Sequence, residues 1–105
     1  MLKMTEYGSG GTPLLIVHGL FGSARNWGVI AKRLSDRGRV VTVDMRNHGD
    51  SFRSDDHSYA AMAQDLRDVL DHMGPSDLLG HSMGGKAAML AALNGADINR
   101  MIVAD

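Results

Sequence analysis

Residues 78 to 86 read Leu78-Leu79-Gly80-His81-Ser82-Met83-Gly84-Gly85-Lys86. Gly80, Ser82 and Gly84 make a Gly-x-Ser-x-Gly pattern, entered from a short apolar run and left through the alanine-rich run 87–93. The five-residue pattern alone is common and says little. Between a strand and a helix it has a mechanical meaning: a sharp turn that lifts a serine hydroxyl to the end of a parallel sheet. The serine backbone is then strained, and the flanking glycines remove side chains that would collide. The helix that follows points its free N–H groups and positive dipole end at any oxyanion formed there. The plainer alternative is a serine N-cap between turn glycines.

Working outward, short apolar runs alternate with helical patterns. Leu14-Leu15-Ile16-Val17 and Val40-Val41-Thr42-Val43 are continuous apolar runs, as expected of strands buried on both faces. They end at His18-Gly19 and at Asp44. Leu78-Leu79 and Met101-Ile102-Val103-Ala104 predict two more strands, the last stopping at Asp105. Residues 1–7 alternate loosely and suit a short edge strand.

Trp27, Ile30, Ala31 and Leu34 fall at helical spacing, with Ser23 placed to cap that helix and Gly38 to stop it. Tyr59, Met62, Ala63, Leu66, Val69, Leu70 and Met73 form a second apolar stripe, capped by Ser58 and ended by Gly74-Pro75. Asp65, Arg67, Asp68 and Asp71 lie off that stripe. The third helix follows Ser82, is small and apolar nearly all round, and should press on the sheet with Gly85 easing the approach. The expected class is therefore α/β: a mostly parallel sheet of about four core strands, with three helices on both faces and right-handed crossovers. Sites in such sheets lie beyond the carboxyl ends of the strands, where His18, Asp44, Ser82 and Asp105 all sit.

Composition sets the outer limits. The 105 residues make one domain, with 44% hydrophobic and 22% charged residues and a net charge of −1. Neither a basic patch nor a polyanion partner is implied, so no nucleic acid is expected. The chain has no cysteine, which excludes a disulfide framework and a cysteine metal site. No run is long and apolar enough for a signal peptide or a bilayer span, so the expectation is a soluble, cytoplasmic protein without membrane attachment.

Ser82 needs a base to become a nucleophile, and a carboxylate to orient that base. His81 is adjacent on a strained turn that points it away, and reads as a packing residue. The N–H groups just after His18-Gly19 can supply half of an oxyanion hole, from Leu20 first or Phe21 second, with Met83 N–H as the other half. Asp105 can serve as the acid, or as a plain strand-end or capping aspartate. Asp44 and Arg46 suit loop-fixing hydrogen bonds. His48 and His57 lack metal spacing with a third ligand, so no metal is assigned, and no cofactor. Lys86 suits a cover for the loop, and His72 a solvated position.

Three stretches together resemble the α/β-hydrolase superfamily, most closely its small carboxylesterases. They are His18-Gly19-Leu20-Phe21-Gly22-Ser23, then Asp44-Met45-Arg46-Asn47-His48-Gly49-Asp50-Ser51, then residues 80–86 with Gly-His-Ser-Met-Gly-Gly-Lys. The resemblance implies that serine, acid and histidine follow in that chain order. It also implies an elbow strand lying between the strand ending at His18 and the strand ending at Asp105. In most of the superfamily the acid follows the next strand along; in some of these small esterases it stands at the end of the strand after the elbow helix, which here is Asp105. Family members are considerably longer, so the chain is expected to be the N-terminal part of one hydrolase domain, residues 1–105, with the last strands, lid and catalytic histidine elsewhere. The implied function is serine carboxylic-ester hydrolysis of a small-molecule ester through an acyl-enzyme on Ser82. The chain alone should be inactive, and its last strand should be covered by the C-terminal part or a second chain. A thioesterase or acyltransferase on the same scaffold, or a non-catalytic interaction module, are the alternatives.

Overall fold

The computed structural model describes residues 1–104. Its strands are β1 (Lys3–Tyr7), β2 (Leu14–Val17), β3 (Val40–Asp44), β4 (Ser76–His81) and β5 (Ile98–Ala104). Its α-helices are α1 (Gly28–Leu34), α2 (Tyr59–Met73) and α3 (Met83–Leu93). The strands form one sheet in the order β1-β3-β2-β4-β5. β2, β3, β4 and β5 are parallel, and β1 runs antiparallel along β3 with Lys3 opposite Asp44. The elbow strand β4 thus lies between β2 and β5, as the resemblance implies. Asp105, the expected acid, lies outside the described residues.

The sheet divides the apolar residues into two layers. One face packs against α2 and α3 through Leu15, Val17, Val41, Val43, Leu66, Leu70, Ala87 and Ala91. On the other face Ile16, Ala31 and Val40 make a smaller core, with Trp27, Leu34 and Leu79 packed around it. β3 is buried at every position because β1 closes its outer side. β5 forms the opposite edge and keeps Met101, Ile102 and Val103 exposed, Ile102 by 66%. An apolar run exposed at a sheet edge presents unpaired backbone N–H and C=O groups to any further strand.

Some boundaries differ from expectation. The helix predicted from Ser23 is broken into a 3-10 turn (Ala24–Trp27), α1 and a second 3-10 turn (Ser35–Arg37). Its start is held by a capping box between Ser23 and Asn26 and by a carboxylate from β3. Ser23 N–H donates to Asn26 Oδ1 at 2.7 Å, and Ala24 N–H donates to Asp44 Oδ1 at 2.8 Å. Ser58 caps α2 as expected, accepting from Ala61 N–H at 3.1 Å. Tyr59, placed on the apolar stripe, is exposed, whereas Asp65, placed off it, is buried. Asp65 tolerates burial because Arg46 grips both of its carboxylate oxygens. Among the described residues no helix is long and apolar enough to cross a membrane.

Candidate active site

Ser82 joins β4 to α3 with φ 54 and ψ −116. Such a conformation is costly for a residue with a Cβ and persists only where the surroundings impose it. Here both backbone groups are held. Ser82 N–H donates to the Ala104 carbonyl at 2.8 Å, and its own carbonyl accepts from Lys86 N–H at 3.1 Å. The side chain remains exposed to solvent at the sheet rim.

The glycines around Ser82 are required by contact. A Cβ on Gly84 would stand 2.5 Å from the His18 carbonyl oxygen and 2.6 Å from that of Val17. One on Gly80 would meet Gly85 Cα at 2.7 Å, and one on Gly85 would meet Val103 Cγ1 at 2.7 Å. Removing three side chains lets α3 rest directly on β2, β4 and β5. Its first N–H groups, from Met83 to Gly85, have no intrahelical acceptor and face the rim with the positive end of the helix dipole.

The stretch after β2 turns back over this rim. Gly22 N–H donates to the Gly19 carbonyl at 3.0 Å, closing a turn in which Phe21 has φ 62. Gly19 lies against Ser82: a Cβ there would sit 3.2 Å from Ser82 Cβ and 3.0 Å from His81 Nδ1. The two expected arm donors are not equivalent. Phe21 N–H donates to His48 Nε2 at 3.0 Å. Leu20 N–H has no acceptor among the described residues. Phe21 therefore drops out as a free donor, although its side chain, 91% exposed, stands open at the rim.

Two histidines support the turn from beneath. His18 is 1% exposed; its Nδ1–H donates to the Gly19 carbonyl at 2.7 Å and its Nε2 accepts from Met45 N–H at 2.9 Å. Because one partner only accepts and the other only donates, the neutral Nδ1–H tautomer is specified. Burial pushes the His18 imidazole below its ordinary pKa, the bond to Gly19 and the Asp44 charge opposing and His48 reinforcing that shift. His48 repeats the pattern, with Nδ1–H donating to the Arg46 carbonyl at 2.9 Å and Nε2 accepting from Phe21. The two rings lie 5.1 Å apart.

The loop that carries His48 is itself pinned. Asp44 accepts from Ala24 N–H at Oδ1 and from Asp50 N–H at Oδ2, 3.0 Å away, and its carbonyl accepts from the Ser51 hydroxyl. Arg46 binds Asp65 at 2.6 and 2.9 Å and donates to the Asp56 carbonyl at 2.7 Å. Asp44 and Arg46 thus fix the loop, as their sequence positions suggest.

The remaining polar side chains do not hydrogen-bond the Ser82 hydroxyl among the described residues. His81 packs edge-on against Trp27, with 5.9 Å between ring centres. His81, His18, Gly19, Leu20, Trp27 and Ile30 border a cavity of about 250 Å³ whose wall does not include Ser82. His57 Nδ1 accepts from Asn47 at 3.1 Å, and Lys86 and His72 are exposed. No histidine hydrogen-bonds the Ser82 hydroxyl among the described residues, and none of those residues form a cluster of three metal-ligating side chains. The supporting roles of His18, His48 and Asp65 were not visible in sequence. Each depends on a partner 19 or more positions away.

Comparison with known proteins places this geometry in context. A family model described as alpha/beta hydrolase fold matches residues 12–105. The chain is 52% identical over 97 residues to an sn-1-specific diacylglycerol lipase of Mus musculus, covering 88% of this chain and 32% of that protein. It is 47% identical over 97 residues to the esterase YbfF of Escherichia coli K12, covering 90% of this chain and 38% of that one. A solved marine microorganism esterase superposes with a TM-score of 0.93 at 43% identity, covering 99% of this chain and 41% of the esterase. The chain thus spans well under half the length of each of these relatives.

Proposed function

The chain belongs to the alpha/beta hydrolase fold family, and on that premise we propose that it carries the nucleophile of a serine carboxylic-ester hydrolase. The observation that carries this reading is the backbone of Ser82, held at φ 54 and ψ −116 by a cradle of glycines. A turn that only capped a helix would gain nothing from that strain.

In the proposed reaction a base takes the Ser82 proton and Oγ attacks the ester carbonyl. The oxyanion is received by the N–H groups of Leu20 and Met83, the first left without an acceptor and the second at the start of α3. The alcohol departs with the proton, leaving an acyl group on Ser82, and water completes the cycle. Asp105 directly follows Ala104, whose carbonyl holds Ser82 N–H, and is the proposed acid. The proposed base is a histidine from the remainder of the protein: the rings of His18, His48 and His57 are bonded elsewhere, His81 packs on Trp27, and His72 is exposed on α2. Residues 1–105 are then one part of a larger hydrolase domain, whose remainder covers β5. Two relatives named as a lipase and an esterase, both longer than this chain, support a small-molecule ester as substrate.

The test is made on the full-length protein with a fluorophosphonate probe and p-nitrophenyl acetate. Labelling and hydrolysis that are both lost in Ser82→Ala are expected. Hydrolysis that survives Ser82→Ala would overturn the assignment.

A further inference from the structure

The proposed oxyanion arm is held by a side chain from another loop. The turn over residues 19–22 contains a non-glycine residue in the left-handed region, Phe21 at φ 62, and a single internal hydrogen bond. An exposed turn of that kind has little reason to stay in one geometry. Its remaining restraints are imidazoles. His18 Nδ1–H holds the Gly19 carbonyl, and His48 Nε2 takes the Phe21 N–H across 27 residues of sequence. His48 is buried and rests in turn on the Arg46 carbonyl, next to the side chain bound to Asp65. A chain of contacts therefore runs from α2, through Arg46 and His48, to the turn beside Ser82.

We propose that His48 is a positioning residue for the oxyanion arm: by accepting Phe21 N–H it locks the turn with Leu20 N–H free. The inference rests on the serine hydrolase reading, since it assigns His48 to the same site. It has a chemical consequence for donor choice. Were the Phe21 N–H released, two adjacent amides would compete to face the rim, and the turn could relax away from its left-handed residue. A bound ester would still find the site, but the oxyanion would meet a misaligned donor. The loss would fall on kcat, and KM would change little.

Two substitutions separate this role from simple loop support. In His48→Gln the side-chain oxygen can reach the place of Nε2 and accept from Phe21, but the donation to Arg46 is lost. In His48→Asn the amide nitrogen can replace Nδ1–H, but nothing reaches Phe21. With p-nitrophenyl acetate and full-length protein, His48→Asn is expected to lower kcat about tenfold with KM within about twofold, while His48→Gln recovers most of that loss. Equal activities, or a better His48→Asn than His48→Gln, would overturn the proposal. If either variant fails to fold, the unsubstituted protein decides. A 15N–15N coupling through the hydrogen bond between Phe21 N and His48 Nε2 is expected, and its absence overturns the clamp. Ser82→Ala is run alongside. Loss of hydrolysis there with both His48 variants unimpaired defeats the clamp and leaves the serine assignment standing, whereas hydrolysis that survives Ser82→Ala defeats that assignment itself.

Discussion

The α-carbon of Gly84 rests on the carbonyl oxygen of His18, close enough that a Cβ would stand only 2.5 Å away. The first turn of α3 thereby touches the end of β2 directly, two residues beyond the serine turn that joins β4 to α3. Two of the three obstructing atoms, the carbonyl oxygens of His18 and Val17, are backbone and cannot swing aside as the third, Val17 Cγ1, could. Gly84→Ala should cost about 3 kcal/mol, the upper end for overpacking. Gly95→Ala is the control, with φ +88 but nothing within 4 Å, and should cost about 1–2 kcal/mol from backbone strain alone. Urea denaturation of the two variants checks the order. Equal losses would mean that the contact between helix and strand does not constrain position 84.

The strain at Ser82 makes a prediction with opposite signs for activity and stability. A glycine accepts φ 54 and ψ −116 more readily than any residue with a Cβ. Relief of such strain is worth about 1–3 kcal/mol, less about 0.5–1 kcal/mol for the extra freedom of glycine in the unfolded chain. Ser82→Gly should therefore be inactive yet more stable than both the parent and Ser82→Ala. Thermal unfolding of the three proteins tests this, and a Ser82→Gly variant no more stable than Ser82→Ala would show that the turn stores no more strain than the extra unfolded-chain freedom of glycine offsets.

The apolar runs were enough to find the parallel strands and the helix faces, because burial on both sides of a sheet leaves a continuous hydrophobic signature. The elbow was legible for a related reason. Gly80, Gly84 and Gly85 are where backbones touch, and only glycine allows that contact. The turn over residues 19–22 was legible in position, but that Phe21 N–H is bonded while Leu20 N–H is not depends on where His48 lies. Asp65 was misplaced because helical periodicity assigns charges to the solvent, and no local pattern reveals that Arg46 arrives from another loop. The split of the first helix had a similar cause. Its opening N–H is taken by Asp44, which comes from the end of β3.

The Arg46–Asp65 pair anchors the loop to α2, and its weight can be measured. Both side chains are about nine-tenths buried, at 11% and 10% exposure, and the contact is two-pronged at 2.6 and 2.9 Å. Asp65 holds the Arg46 guanidinium above its ordinary pKa, and without Asp65 the cation still stays charged because an arginine ordinarily titrates far above neutral pH. Asp65→Ala should then cost roughly 3 kcal/mol, the low end for breaking a buried pair. Replacing both partners with apolar side chains, Arg46→Met with Asp65→Leu, should recover much of that loss. Arg46 also donates to the Asp56 carbonyl and lies 5.1 Å from the Phe52 ring centre, so recovery should be incomplete. A double-mutant cycle by chemical denaturation measures the coupling, and additive losses would show that the pair contributes nothing beyond its members.

His18 should give the fold a pH dependence. Its imidazole is buried and neutral, and burial is the largest cause of its lowered pKa, from an ordinary 6.5. In the window below 6.5 and above that lowered value, the unfolded chain binds a proton at this position that the native one refuses. Stability is therefore full above the window and declines as pH falls through it, by about 1.4 kcal/mol for each pKa unit of depression. The depressed carboxylates of Asp56 and Asp77 start from 3.8 and act only at lower pH. His18→Gln keeps an acceptor for Met45 N–H but has no proton to exchange. It should be less stable than the parent at about pH 7.5, and the gap should narrow toward about pH 5. Urea midpoints for both proteins across that range measure the gap, and a constant gap would mean that His18 takes up its proton as freely folded as unfolded.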